Sequence, residues 1–138
     1  MRYPLVPGRV EMASGVRGSG AANARVGREG EQAAARYLEE IGYRIRERNF
    51  RCQYGEIDLV AEQDEYIVFV EVKSRARETP YHPTLAMTEA KKRKVRQLGD
   101  YYCGEHPEME LQPRFDVVAV TFRAGKGGTR VEHFIDAF

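Results

Sequence analysis

The stretch GEIDLVAEQDEYIVFVEVKSR, Gly55 to Arg75, constrains this chain more than any other. Two runs of β-branched and aromatic residues flank the polar pair Gln63-Asp64, which predicts a tight hairpin between strands near Glu56–Glu62 and Glu65–Ser74. Asp58, Glu71 and Lys73 nevertheless stand inside those runs. A buried charge is costly unless it is paired or bound to a metal, so the sheet must give these residues a partner. Side chains alternate along a strand, so Ile67, Phe69, Glu71 and Lys73 share one face, as do Glu56, Asp58 and Val60. With a two-residue loop, Asp58 lies across from Phe69 and one diagonal step from Glu71. Asp58, Glu71 and Lys73 then converge on one side of the sheet.

The flanking pattern predicts an α/β (α+β) fold. Ala34, Ala35, Leu38 and Ile41 recur at helical spacing within Glu29–Ile41, and Gly42 is a natural stop. Tyr43–Phe50 alternates as a half-exposed strand, and Gln53-Tyr54-Gly55 is a turn. Pro80 and Pro83 mark a loop, and Thr88 is an N-cap for a helix running to about Tyr102. Arg114–Phe122 is a strand whose Val117, Val118 and Val120 look buried on both faces. Gly125–Gly128 turns the chain into a last strand, Arg130–Ile135. The order α-β-β-β-α-β-β gives a mixed β-sheet flanked by helices. Residues 1–23, rich in glycine and without apolar period, are expected to be a flexible tail with Met12 as an alternative start; residues 24–138 form a single domain.

Both helices aim a charge inward. Glu31 lies three residues before Ala34 and seven before Leu38, on the apolar stripe. Lys91 precedes Val95, Leu98 and Tyr102 at spacings of four, seven and eleven. Glu31, Asp58, Glu71, Lys73 and Lys91 thus face the interior together. Two explanations fit: a structural ion-pair network in which three acids and two lysines nearly balance, or a divalent-metal site. Asp58, Glu71 and the carbonyl of Val72 would offer hard oxygen ligands suited to Mg²⁺, with Lys73 orienting a water or stabilising phosphate charge. Spacing alone leaves both open.

Asp58, twelve residues, then Glu71-Val72-Lys73 resembles the D-(x)n-E-x-K signature of the restriction-endonuclease-like superfamily. The surrounding words are longer: Gly27-Arg28-Glu29-Gly30-Glu31-Gln32-Ala33, Tyr37-Leu38, Asn49-Phe50-Arg51, Tyr54-Gly55-Glu56-Ile57-Asp58-Leu59, Phe69-Val70-Glu71-Val72-Lys73 and Arg114-Phe115-Asp116-Val117. Together they resemble the YraN-like family of uncharacterised bacterial proteins, itself similar to archaeal Holliday-junction resolvases, over about Val26–Val120. The resemblance implies a restriction-endonuclease-like core. It also implies Asp58 and Glu71 as metal ligands, Lys73 as the catalytic lysine, Glu31 as an additional acid and, more loosely, Lys91 as a supporting basic residue. Glu56 shares the motif and ranks as an ion-pair partner before a ligand.

The expected reaction is Mg²⁺-dependent hydrolysis of phosphodiester bonds in DNA, with Mn²⁺ as substitute, branched or damaged DNA being candidate substrates. The alternatives are a nucleic-acid-binding module that no longer cuts and a structural partner. With 22 Lys and Arg against 21 Asp and Glu, the net charge is +1, so the chain is no polycation and a polyanion must meet local clusters. Arg44, Arg46 and Arg48 form a stripe, Arg75 and Arg77 follow the Lys73 strand, and Lys92, Arg93, Lys94 and Arg96 crowd the second helix. A resolvase cuts two strands and needs a homodimer, for which Phe134-Ile135 is a candidate interface. Cys52 and Cys103 make neither a CxxC pair nor a zinc site and are expected as reduced thiols. His82, His106 and His133 are scattered and expected on loops or the surface. No run approaches the ~20 apolar residues of a membrane span or a signal-peptide core, which points to a cytoplasmic protein.

Overall fold

The computed structural model of the chain describes residues 8–10, 20–123 and 128–138. Helix α1 (Gly20–Glu40) leads into strands β2 (Arg44–Cys52), β3 (Gly55–Gln63) and β4 (Tyr66–Arg75). Helix α2 (Glu89–Glu105), strand β5 (Gln112–Arg123) and strand β6 (Gly128–Phe134) follow, so the expected order α-β-β-β-α-β-β is the observed one. A short strand β1 (Gly8–Val10) pairs antiparallel with β6. The sheet runs β1-β6-β5-β4-β3-β2, and β4–β5 is its parallel pair. Most of the expected 1–23 tail, Met12 included, lies outside the described residues, as does most of the turn expected at Gly125–Gly128. Inside them, α1 starts nine residues before the expected Glu29, because its first turns lack an apolar stripe to betray them.

Each helix covers one face of the sheet. Ala34, Ala35 and Leu38 of α1 pack on Leu59, Ala61, Val68, Val70, Val118 and Val120. Leu98 and Tyr102 of α2 pack on Ile57, Val60, Ile67 and Phe69. Val117 faces a third cluster with Met87, Ala119 and Phe134, so β5 is buried on both sides as its valine run predicted. Gly42 closes α1 with φ +99°, a left-handed value that favours glycine. Its N–H donates to the Glu39 carbonyl and the Tyr43 N–H to the Leu38 carbonyl, the paired bonds of a Schellman stop. Thr88 caps α2, its hydroxyl accepting from the Lys91 N–H at 3.1 Å.

The hairpin register differs from expectation by two residues. Gln63 pairs with Tyr66, so the loop is Asp64-Glu65, and Phe69 lies opposite Val60 instead of Asp58. Asp64 takes φ +53°, a conformation that Asp tolerates better than most residues, which moves the turn one position on. A shift of two preserves the pleat through Leu59 and Val70, and continuing the register sets Asp58 opposite Glu71; at Asp58 the alternation itself breaks, since Leu59 packs toward α1 and Ile57 toward α2.

Candidate active site

Beyond Leu59 and Val70 the β3–β4 ladder stops. Gly55–Asp58 goes with β2, which stays paired as far as Cys52 and Gly55. Glu71–Arg75 stays with β5 as far as Thr121. The sheet therefore forks, and backbone groups on both prongs lose their ladder partners. Asp58 bridges the opening: its Oδ2 accepts the Val72 N–H at 2.8 Å, replacing a missing strand bond.

The fork opens into a cavity of about 500 Å³ lined by Glu31, Glu56, Asp58, Glu71, Val72, Lys73 and Lys91 among others. All five inward charges of the sequence pattern thus line one space, and α1 and α2 reach it from opposite faces. Glu71 is 6 % exposed. Its Oε2 lies 3.4 Å from Lys73 Nζ and 3.5 Å from Lys91 Nζ. Glu56, at the same cavity, is paired with Arg51 at 3.1 Å, the ion-pair role expected of it. Among the described residues no three or more His, Cys, Asp or Glu side chains close into a metal cage. The lysines draw Glu71 toward themselves and leave Asp58 with the Val72 amide.

With Glu56 held by Arg51 and Arg75 by Thr121 and Thr79, three acids remain against two lysines and leave one carboxylate in surplus. Asp58 carries that surplus: its pKa is raised from 3.8 to about 7, first by burial, then by the charge of Glu71, with Glu31 adding to it; the Val72 N–H and Lys91 pull the other way.

The closeness of α1 to β4 sets where Glu31 stands. A Cβ on Gly30 would lie 2.7 Å from the Ser74 Cβ, so only glycine lets the helix approach this near. Gly30→Ala should lift α1 from β4 and cost about 1–3 kcal/mol of stability. Ser74→Gly should recover most of that loss in the double variant, as read from urea unfolding of the four-member cycle.

A second buried cluster adjoins none of this. Asp116 and His133 are 0 % exposed and Arg114 9 %. Arg114 Nε and Nη2 donate to the two oxygens of Asp116 at 3.0 and 2.8 Å, and Nη2 also to Tyr43 Oη at 2.7 Å. His133 Nε2 donates to Asp116 Oδ2 at 2.8 Å, which leaves Nδ1 to accept from Tyr37 Oη at 3.3 Å. His133 is therefore a core residue and not the surface histidine expected from its scattered context. No sequence period marks it, because β6 is buried on both faces at its end. The Arg114-Phe115-Asp116-Val117 motif is accounted for by this network. His82 and His106 do lie where loops end, at the cap of a short 3₁₀ turn (Pro83–Ala86) and at the end of α2.

The expected cationic surface is reorganised. A bulge between Ile45 and Glu47 reverses the pleat of β2. Arg46 donates to Tyr102 Oη on the α2 side at 3.1 Å, whereas Arg48 lines a hollow with Arg25 and Arg28 of α1, so Arg44, Arg46 and Arg48 do not form one stripe. Glu62 pairs with both Arg44 and Arg46. Arg75 is spent on the protein itself, bonding Thr121, Thr79 and the Tyr81 carbonyl. Lys92 pairs with Glu89 and Arg96 lies over the Phe138 ring. Arg77, Arg93 and Lys94 are exposed, and Lys94 approaches Gly55 beside the fork. Phe134 is 2 % exposed, inside the core, so the Phe134-Ile135 interface expected for a dimer is not available through that ring. Cys52 and Cys103 are free thiols, as expected. Among the described residues no helix is long and apolar enough to cross a membrane.

The description "Uncharacterised protein family UPF0102" belongs to a family model that matches residues 30–120, a span that runs from Gly30 through both prongs of the fork to Val120. The chain belongs to the UPF0102 family. A UPF0102 protein of Syntrophus aciditrophicus is 45% identical over 116 residues, 84% of this chain and 90% of its own length. One of Anaeromyxobacter dehalogenans is 45% identical over 127 residues, 92% and 93% of the two chains. One of Moorella thermoacetica is 48% identical over 96 residues, 70% and 80%. The YraN-like resemblance of the sequence is thereby borne out as UPF0102 membership. The names of these relatives state no activity, so the chemistry rests on the fork.

Proposed function

We propose that this UPF0102 protein is a divalent-metal-dependent nuclease that hydrolyses phosphodiester bonds in DNA, with branched or damaged DNA as the first substrates to try. The observation that carries the reading is the fork itself. Opposed carboxylates from two parting strands, a third from α1 and two ammonium groups line one open cavity. A purely structural network would satisfy its acids, as Asp116 is satisfied by Arg114, His133 and the Asp136 N–H. Asp58 is instead left in surplus.

The donor set fits Mg²⁺, which takes one or two carboxylates, keeps several waters and shares its remaining positions with substrate phosphate. Asp58, Glu71 and the Val72 carbonyl would hold it, with Mn²⁺ as a substitute. The Val72 amide occupies Oδ2 of Asp58 and leaves Oδ1 for coordination. A bound ion supplies Lewis-acid stabilisation of the phosphate and lowers the pKa of water. The protein's own groups do the rest. Lys73, beside Glu71, orients the attacking water and offsets charge that develops on the phosphate. Glu31 accepts a hydrogen bond from that water. Lys91, its Nζ 3.5 Å from Glu71 Oε2, adds positive charge at the phosphate. Arg77, Arg93 and Lys94, with exposed Arg48 on the α1 side, are left to track the backbone, and binding should weaken steeply with salt.

Linear, flap and four-way DNA incubated with Mg²⁺ or Mn²⁺ tests the reading. The parent should cut at least one, and Glu71→Ala should cut none. Intact DNA throughout, in both metals, would overturn the proposal. Asp58 must be ionised to act as a ligand, so at limiting Mg²⁺ the rate should rise with pH up to about 7. More Mg²⁺ should move that acid limb to lower pH, which a pH–rate series at two metal concentrations will show.

A further inference from the structure

A second cavity, of about 430 Å³, opens beside the acidic one and shares Lys73, Ser74 and Arg75 with it. Thr79, Tyr81, His82 and Pro83 form its other walls. These walls are mostly ring faces and aliphatic stems, in contrast to the carboxylates next door. The loop that carries them is fixed in several places. Arg75 Nε donates to Thr121 Oγ1 at 2.7 Å, and its Nη1 to Thr79 Oγ1 at 2.8 Å and to the Tyr81 carbonyl at 3.1 Å. Glu78 reaches Arg123 at 3.3 Å and Arg130 at 3.4 Å. The His82 ring packs on Phe134, centroids 4.8 Å apart, and its Nδ1 meets Thr84 Oγ1 at 2.7 Å. The backbone of Tyr81 is thus held while the residue is 71 % exposed.

Holding a loop this firmly around an exposed aromatic ring makes a platform. Its ligand must lie next to a phosphate at Lys73 and present a flat, mostly apolar face. Lys73 and Arg75 are two strand residues apart, about 7 Å, the scale of one nucleotide. We propose that this cavity seats one unpaired nucleobase of the strand whose phosphate occupies the acidic site, stacked on the Tyr81 ring. This rests on the nuclease reading and narrows it to substrates with an unpaired nucleotide at the cut. A base inside a duplex has both faces covered by its neighbours and must leave the stack before it can enter. A flap, a frayed end or a junction arm supplies one at lower cost. Sequence preference should be slight, since every base has a face to stack.

The test is fluorescence anisotropy of the full chain in Ca²⁺, with a labelled single-stranded 12-mer and the corresponding duplex. Tyr81→Ala should weaken single-strand binding about tenfold and leave duplex binding unchanged, while Tyr81→Phe stays within about twofold of the parent. Unaltered thermal midpoints will show that both variants fold, as the exposure of the ring leads one to expect. Equal losses on both DNAs, no loss on either, or a parent that does not bind the single strand would each overturn the proposal. So would competition by deoxythymidine monophosphate at concentrations matching the oligonucleotide, which would assign the cavity to a free nucleotide. The two readings fail separately. Glu71-dependent cleavage without a strand-selective Tyr81 effect overturns the base site alone. A strand-selective Tyr81 effect without cleavage in Mg²⁺ or Mn²⁺ overturns the nuclease alone.

Discussion

Asp58→Asn should give a protein that is more stable than the parent at pH 8 and inactive as a nuclease. The two effects share one cause. Asp58 is the carboxylate in surplus over Lys73 and Lys91, and burial with the neighbouring Glu71 raises its pKa from 3.8 to about 7. A group whose pKa is raised on folding stabilises the native state below its unfolded value, and that contribution is lost as pH rises through the folded value. Without metal the parent should therefore lose stability between about pH 4 and 7. Asparagine carries no charge to desolvate and still offers an oxygen to the Val72 N–H, now 2.8 Å from Oδ2. The gain should be absent at pH 4 and reach about 1–2 kcal/mol at pH 8, allowing for the water that reaches the cavity. Cleavage should fall by at least about 10³-fold, since the proposed metal ligand is lost with the charge. Urea unfolding in EDTA at pH 4 and 8, beside a cleavage assay, measures both. Mg²⁺ should raise the midpoint of the parent and leave that of the variant unmoved. A variant less stable than the parent at pH 8 would show that Asp58 is a structural pairing partner and that the cluster exists to hold the core.

Much of this site was legible because strands and helices write their faces in periods. Parity grouped Asp58, Glu71 and Lys73, and a two-residue error in register left that grouping alone because two is the period of the pleat; the three do line one cavity, although β3 stops alternating at Asp58. Helical spacing brought Glu31 and Lys91 to the same place from different faces of the sheet. The fork was not legible, since nothing in GEIDLV tells which neighbour each half of the strand will leave. Nor was the bulge after Ile45, which carries Arg48 to the face opposite Arg46 and dissolves a stripe that simple alternation predicts. Local pattern also misses cross-strand competition. Glu62 takes Arg44 and Arg46, and Thr121 with Thr79 takes Arg75, so three of the nine expected phosphate contacts are already engaged within the protein. His133 went unread for a related reason: its partner Asp116 comes from another strand, and burial of a histidine leaves no periodic trace.

Asp116→Ala should be far more destabilising than any change at Asp58, although both aspartates lie inside the same sheet. Burial alone would raise the Asp116 carboxyl, but hydrogen bonds from His133, from Arg114 and from the Asp136 amide overcome it and hold the pKa below the ordinary 3.8. The sign is therefore the reverse of that at Asp58. Its contribution is present above about pH 4 and lost as pH falls through the lower, folded value, so this pair drives acid unfolding of the parent. Removing the carboxylate leaves the guanidinium of Arg114, 9 % exposed, without its anion, and His133 without an acceptor. It also frees the C-terminal turn, which the Asp136 N–H anchors to Asp116 Oδ1 at 3.0 Å. Breaking a buried ion pair by removing one partner costs about 3–5 kcal/mol. Adding Arg114→Leu should restore part of it, since no buried ion is then left unpaired. Urea midpoints of the parent, the single and the double variant at pH 7 check the order parent, double, single. A single variant within about 1 kcal/mol of the parent would mean that Asp116 is as poorly satisfied as Asp58, and the contrast that separates the structural acid from the proposed metal ligand would be lost.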